Sequence, residues 1–319
     1  MKEAEVLSRL SDICRRKHLS LATEKSYLAW SRSYIRGLGG MPAGWSSERK
    51  TESFLTALAR REVAAATQNQ ALNAVAFLYR EVLETPLGTV DALRVRRPET
   101  VRTALSVEEV RALLGAMEDR GAYPTRLVVR LLYGCGLRVS EPLELRIKDV
   151  EMDHGRLVIR SAKGNKDRVV PLPVALREEM EAQLRVARAV AAGDKAAKLP
   201  VALPSALAAK YPNARFQPAW AWVFPAQAPM KHPRTGATVR WRMDEVNVQR
   251  AVRAAGEKAG LAARVTPHVL RHSYATHVHR AGAAARDVQE VLGHVKLETT
   301  MRYLAADVAK VRSPLDFVS

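Results

Sequence analysis

The stretch Thr266-Pro267-His268-Val269-Leu270-Arg271-His272 is the one from which the rest of the chain can be read. Pro267 suits the first turn of a helix, where a missing N–H costs nothing, so a helix is expected to open here. His268 and Arg271 stand three residues apart and therefore share one helix face. A histidine and a guanidinium so placed could serve an anion. His268 and His272, four apart, could instead form a metal pair, but the glutamate of an HExxH motif is missing and no third ligand is evident.

Toward the C-terminus, Val291-Leu292-Gly293-His294 offers a glycine suited to ending a helix and a histidine held just beyond it. Tyr303 follows nine positions after His294, behind the short polar helix Glu298-Thr299-Thr300-Met301-Arg302. Toward the N-terminus, Gly134-Cys135-Gly136-Leu137-Arg138-Val139-Ser140-Glu141 reads as a glycine turn that delivers Arg138 next to a new helix. Guanidinium stays protonated and presents a planar fork that matches two phosphate oxygens. Between these lies Lys163, at a tight turn, from which a long ammonium could protonate a leaving oxygen.

Each piece has an ordinary reading: Arg138 paired with Glu141 at the surface, Lys163 a solvated turn lysine, His294 a structural histidine, Tyr303 a core residue. Together they supply what phosphodiester exchange requires, namely two arginines and a histidine for the phosphate, an acid or base pair, and a hydroxyl nucleophile. Attack by a tyrosine phenolate would make a covalent phosphotyrosine and keep the diester's bond energy, so religation needs no ATP. Arg138, Arg271 and His294 would offset the charge that builds on the nonbridging oxygens. Neither metal nor nucleotide cofactor is then required.

The frame around these residues is mainly α with a small antiparallel sheet. From Val6 to Leu83 the sequence reads as amphipathic helices; in Ala66–Leu83, for example, Leu72, Val75, Ala76, Tyr79 and Val82 recur at helical spacing. Thr85-Pro86-Leu87-Gly88 breaks the pattern, and Arg94-Val95-Arg96-Arg97-Pro98 is basic without an apolar period. This predicts a helical domain over 1–88, a linker over 89–104 and a second domain over 105–319. Ser106 and Glu109 are spaced as a capping box, so a helix should start at Val107. Residues 150–173 alternate and turn at Asp153-His154-Gly155 and at Lys163-Gly164-Asn165-Lys166-Asp167, as three short strands would. Residues 189–238 are Ala/Pro-rich and dotted with aromatics; periodicity does not resolve them, and they are expected to be an insertion.

Composition points to an anionic polymer as partner. The 319 residues carry 51 Lys and Arg against 33 Asp and Glu, a formal net charge of +18, and 47% are apolar, enough to bury cores in two domains. Both parts are basic: 17 against 11 acidic residues up to Ala104, and 34 against 22 thereafter. Two basic domains could clamp one duplex from opposite sides. No apolar run reaches the roughly 18 residues that span a bilayer, and the start Met1-Lys2-Glu3-Ala4-Glu5 lacks a signal peptide's apolar core; a cytoplasmic protein is expected. Cys14 and Cys135 form no CxxC pattern and are expected to be small buried residues.

With these residues in place, the sequence resembles the tyrosine recombinases, most specifically from Gly134 to Leu304. The resemblance implies that Arg138 and Arg271 grip the scissile phosphate, that Lys163 is the general acid toward the 5′-oxygen, and that His268 assists proton transfer. It further implies that His294 helps hold the phosphate, that Tyr303 attacks to leave a 3′-phosphotyrosine, and that Glu141 supports the first arginine. The N-terminal helices would be the core-binding domain, closing a C-shaped clamp around DNA, and four copies would assemble on two sites. Ala208-Ala209-Lys210-Tyr211-Pro212-Asn213-Ala214 and Trp220-Ala221-Trp222-Val223-Phe224-Pro225 resemble the added segment of integron integrases, which act on double-stranded attI sites and on attC sites folded from a single strand. Extrahelical bases expose faces on which aromatic rings can stack. Trp220, Trp222 and His232 are the candidates for that contact, with core packing of the inserted segment as the competing role; Arg94, Arg96 and Arg97 are candidates for backbone contact. The resemblance is imperfect after Tyr303, where Leu304-Ala305 replaces the more frequent Thr-His, and at Gly282-Ala283-Ala284-Ala285, where bulkier residues are common. The apolar positions of the tail 305–319 could dock on a neighbouring subunit. Three rival functions share much of this pattern: a recombinase of Xer or phage type, a noncatalytic DNA-binding relic, and a relaxing topoisomerase.

Overall fold

Amphipathic periodicity and local capping account for most of the elements in this computed structural model, which describes residues 2–91, 104–162, 166–262, 265–293 and 300. The chain divides into two compact units, Met1–Thr100 and Val101–Ser319.

The first unit is a bundle of four helices, α1 (Glu3–Arg16), α2 (Leu21–Leu38), α3 (Ser47–Arg60) and α4 (Ala65–Phe77). Ser20 and Ser46 cap α2 and α3 by accepting from the backbone N–H of Thr23 and Arg49. The helix expected over 66–83 differs in its last turn: Leu78–Val82 is π-helical, and Leu78, Tyr79 and Val82 are all buried. Tyr34 and Tyr79 share a hydrogen bond at 2.8 Å inside this core, and burial pushes the Tyr34 hydroxyl's pKa up. The helix ends before the Thr85–Gly88 break, yet the chain stays attached: the N–H groups of Gly88 and Asp91 donate to Glu48 and Glu52 of α3. Leu87 and Val90 pack on the same core.

The second unit opens with α5 (Val107–Gly115), and its capping box forms in full, Glu109 N–H to Ser106 Oγ at 3.1 Å and Ser106 N–H to Glu109 Oε2 at 2.7 Å. Then come α6 (Thr125–Gly134), the single turn α7 (Ser140–Leu143), and a three-stranded antiparallel sheet, β1 (Val150–Glu151), β2 (Arg156–Ala162) and β3 (Lys166–Pro171). Leu157 and Val170 face each other in the register and are fully buried. The helices α10 (Glu245–Lys258), α11 (Pro267–Arg280) and α12 (Ala285–Leu292) complete the core with α5 and α6. Cys135 lies in that core, and burial pushes its thiol up to about 12; Cys14 is buried in the first unit.

The segment that periodicity left unread begins inside a helix. α8 (Arg177–Ala196) runs through residue 189 without a break. Beyond it come α9 (Ser205–Lys210), the 3-10 turns Pro212–Phe216 and Pro218–Trp220, and a two-stranded ribbon of β4 (Met230–Lys231) and β5 (Thr238–Val239). Single bridges tie it down, Arg146 to Trp222, Val201 to Arg240 and Pro225 to Arg242. No helix among the described residues is long and apolar enough to cross a membrane.

Candidate active site

Two left-handed glycines shape the site. Gly136 (φ 61°) ends the turn after α6, and a Cβ there would run into the Tyr274 ring of α11. Gly293 (φ 64°) ends α12 as expected, and a Cβ there would press at 3.0 Å on the side chain of Arg168. Close approach of three elements follows: the turn before α7, β3, and the C-terminal end of α12.

At their meeting point lies a carboxylate among guanidinium groups. Glu141, 7% exposed, accepts from Arg138 twice, at 2.8 Å from Nη1 to Oε1 and at 2.8 Å from the backbone N–H to Oε2. Arg168 of β3 holds both oxygens as a fork, Nη1 to Oε1 at 2.9 Å and Nη2 to Oε2 at 2.6 Å, and its Nε donates to the Val291 carbonyl at 2.8 Å. Arg271, 2% exposed, stands 3.6 Å from Oε2 and donates to the carbonyls of Gly136 (2.7 Å) and Leu292 (2.5 Å). Burial alone would raise the Glu141 carboxyl, but Arg168, the Arg138 N–H and Arg271 outweigh it and hold the pKa below the usual carboxylate range. Among the described residues three guanidinium groups stand around this one carboxylate, an excess of positive charge in a confined volume. Such a surplus suits a phosphate, which brings negative charge and four acceptor oxygens. Arg138 is the open member, with 28% of its side chain exposed, against 8% for Arg168.

The geometry thus gathers Arg138, Glu141 and Arg271. His268 lies one turn before Arg271 and is exposed in the first turn of α11, which Pro267 opens and Thr266 caps by accepting from the Val269 N–H. His272 is buried, so the two histidines weighed as a metal pair face different surroundings. Among the described residues no group of three or more His, Cys, Asp or Glu is placed to hold a metal ion. Lys163, His294 and Tyr303 lie outside the described residues, as do Arg94, Arg96, Arg97 and the tail 305–319.

Arg168 was missed by sequence reasoning, which read Lys166-Asp167 as part of a turn and so placed nothing inward after it. The alternation on β3 contains the signal: Arg168 and Val170 share a face, Val170 is buried, and Val169 between them is 51% exposed. A charged residue on the inward phase of a strand needs a partner.

The aromatic candidates meet in a second cluster. Trp222, a candidate for base contact with core packing as its competing role, is buried in the core: it is 7% exposed, the Arg146 guanidinium lies 3.1 Å from its ring centre, and its Nε1 donates to the Arg240 carbonyl at 3.3 Å. Trp220 is half-buried under Lys148, whose Nζ stands 3.4 Å from the ring centre. His232 meets Trp241 edge-on, and its Nδ1 accepts from the Arg234 and Thr235 N–H groups. Buried Arg146 fastens the segment by donating to the carbonyls of Trp220 (2.8 Å) and Ala202 (2.9 Å). Burial pushes the Arg146 pKa down, and Asp149 and Glu144 pull it back up.

Comparison with known proteins places this geometry in context. The profile of the Phage integrase family matches residues 103–310, and that of the Phage integrase N-terminal SAM-like domain matches residues 6–89. An Integrase/recombinase of Escherichia coli is 40% identical over 99% of the chain and 94% of its own length. A tyrosine recombinase XerA of Thermococcus kodakarensis is 32% identical over 91% of the chain and 86% of its own. Among solved structures, a lambda integrase dimer bound to a core site matches with a TM-score of 0.63 at 16% identity, covering 97% of this chain and 98% of that one. XerH recombinase bound to its difH substrate matches with the same TM-score of 0.63 at 19% identity, covering 95% and 82%.

Proposed function

The chain belongs to the phage integrase family and is a tyrosine site-specific recombinase, and from that premise we propose that it works as an integron integrase, moving gene cassettes between attI and attC sites. The observation that carries the chemistry is the Arg138–Arg168–Arg271 cluster around one carboxylate, with its surplus positive charge. A scissile phosphate bound beside Arg138 would meet preorganised donors aimed at the charge that develops in the transition state. Tyr303 attacks the phosphorus, a 3′-phosphotyrosine forms, and the 5′-oxygen leaves with a proton from Lys163. His268 at the open start of α11 assists proton transfer, and His294, directly after the Gly293 turn, adds a phosphate donor. Rejoining runs the same steps backward onto another strand end, with no cofactor.

The integron assignment rests on the aromatic segment after α8, which keeps Trp220 and His232 only half-buried. Splayed bases of a folded attC strand would stack there, and Arg94, Arg96 and Arg97 would follow the backbone. In a solved relative, a lambda integrase tetramer is bound to a Holliday junction; four copies of this chain on two DNA sites, in the cytoplasm, are proposed by analogy. The identity to XerA favours a second reading, recombination of two duplex sites without any folded strand.

The test incubates wild type and Tyr303→Phe with labelled attC hairpins nicked near the cleavage point and looks for a denaturation-resistant adduct. Adduct from wild type alone, and only on the folded strand, is expected. Adduct on duplex sites but not on hairpins replaces the integron reading with the Xer one. Tight binding with no adduct marks a DNA-binding relic, and adduct on any duplex a topoisomerase.

A further inference from the structure

Arg168 is given no step in the strand transfer set out above, yet its side chain gives Glu141 two hydrogen bonds where that of Arg138 gives one and Arg271 stands 3.6 Å away. Arg168 is 8% exposed, covers both oxygens of Glu141 with a fork of 2.9 and 2.6 Å, and reaches the last turn of α12 through Val291. Planar, bidentate contact of this kind is specific to guanidinium and cannot be reproduced by an ammonium.

We infer that Arg168 is a positioning residue for strand transfer: by occupying the forked face of Glu141 and pinning the end of α12, it keeps Arg138 turned toward the phosphate. The geometry of Arg138 carries the argument. Its guanidinium gives Glu141 a single bond, from Nη1, and a longer one of 3.4 Å from Nη2 to the Gly293 carbonyl. A guanidinium has five N–H donors, so these two bonds leave most of the Arg138 fork without a partner among the described residues. Without Arg168, the Glu141 carboxylate would lose both forked bonds while its charge stayed buried. Arg138 is the nearest mobile cation and would rotate onto the vacated oxygens, spending on Glu141 the donors that a phosphate needs. The same loss would release the Val291 carbonyl and loosen the turn at Gly293, whose backbone lies against the Arg168 side chain.

A pH effect follows from the groups that face Glu141: Arg138 from its own turn, Arg168 from β3, Arg271 from α11, with Glu144 adding repulsion from the residue after α7. Arg168 is the strongest of the influences that lower the carboxyl. Removing it raises the Glu141 pKa, and protonation cancels the charge that draws Arg138 away, so the variant's deficit against wild type narrows as pH falls and widens as pH rises.

The inference rests on the strand-transfer reading, and the experiment separates the two. Single-turnover adduct formation is followed on the nicked substrate that wild type cleaves best, hairpin or duplex, between pH 5.5 and 8.5. Wild type, Arg168→Met and Arg168→Lys are compared, with binding of the same DNA by gel shift and thermal unfolding alongside. Expected for Arg168→Met is binding within about threefold of wild type, an adduct rate lower by about 100-fold at pH 8.5, the scale of one lost transition-state donor, and a deficit that narrows as pH falls. Arg168→Lys should keep the fold and restore only part of the rate. A rate for Arg168→Met within threefold of wild type overturns the inference. So does a rate loss in both variants that merely tracks lost binding or lost folding at every pH, because the residue would then be structural. If wild type itself forms no adduct on either substrate, the strand-transfer reading falls and takes the inference with it.

Discussion

The Glu141 cluster and the Arg146 cluster both bury guanidinium groups in the second unit, and they dispose of the charge in opposite ways. Around Glu141, among the described residues, three arginines share one carboxylate, and Arg138 is partly open to solvent. At Arg146 one guanidinium, in a residue 8% exposed, is held by two carbonyls and an indole face. Burying a charge is costly unless it is bonded, so each arrangement reveals its purpose by what remains unmatched. The first leaves room for an anion; the second spends everything on fastening residues 202, 220 and 222 to the body of the unit.

This contrast can be broken most forcefully at Arg271. Arg271→Ala should lower single-turnover cleavage by about 1000-fold, the upper range for losing one preorganised donor. It should also destabilise the fold, since the Gly136 and Leu292 carbonyls lose their buried partner at a cost of about 1–3 kcal/mol each. Cleavage assays and thermal melts measure both, and an active Arg271→Ala would remove the phosphate assignment. Arg138→Ala should cost about 100-fold in rate but shift stability by less than about 1 kcal/mol, because its ion pair is partly solvated. A large drop in melting temperature with normal turnover would reverse its role and that of Arg271.

At the other cluster the expected effects are smaller and of a different kind. Arg146→Met should leave duplex cleavage within about threefold while opening the segment 197–240 to limited proteolysis, the loss of its carbonyl bonds being worth about 1–3 kcal/mol. Protection equal to wild type would mean that the hydrophobic contacts hold the segment without the arginine. Trp220→Ala sharpens the comparison further: hairpin affinity should fall by about tenfold, one base stack at the low end of 1–3 kcal/mol, with duplex affinity unchanged. Equal losses on hairpin and duplex would assign Trp220 to packing, as the structure already does for Trp222.

What was legible in the sequence was whatever local chemistry enforces. Ser106 and Glu109 had to form a capping box, Pro267 had to open a helix, and Gly293 had to end one, and all three do. The approach of Arg138, Glu141 and Arg271 was legible because their residue types make sense only together. Arg168 was not, since its partner is 27 residues away across a sheet and its strand looked like the end of a turn. The π-helical turn at Leu78–Val82 leaves no trace in a pattern of apolar spacing, which it shifts by only one residue. The segment after α8 stayed unread because single bridges and 3-10 turns have no period, and Arg146, which fastens it, lies 56 positions before the first carbonyl it holds.

The burial of both cysteines has a practical corollary. The chain contains two, one in each core, and the Cys135 thiol is held far from the thiolate that alkylating reagents require. Native protein should therefore resist maleimide, and a cysteine placed at Val174, which is 77% exposed and precedes α8, would stand as a single reactive handle. A fluorophore attached there could report DNA engagement in real time without first stripping the protein of its own sulfur.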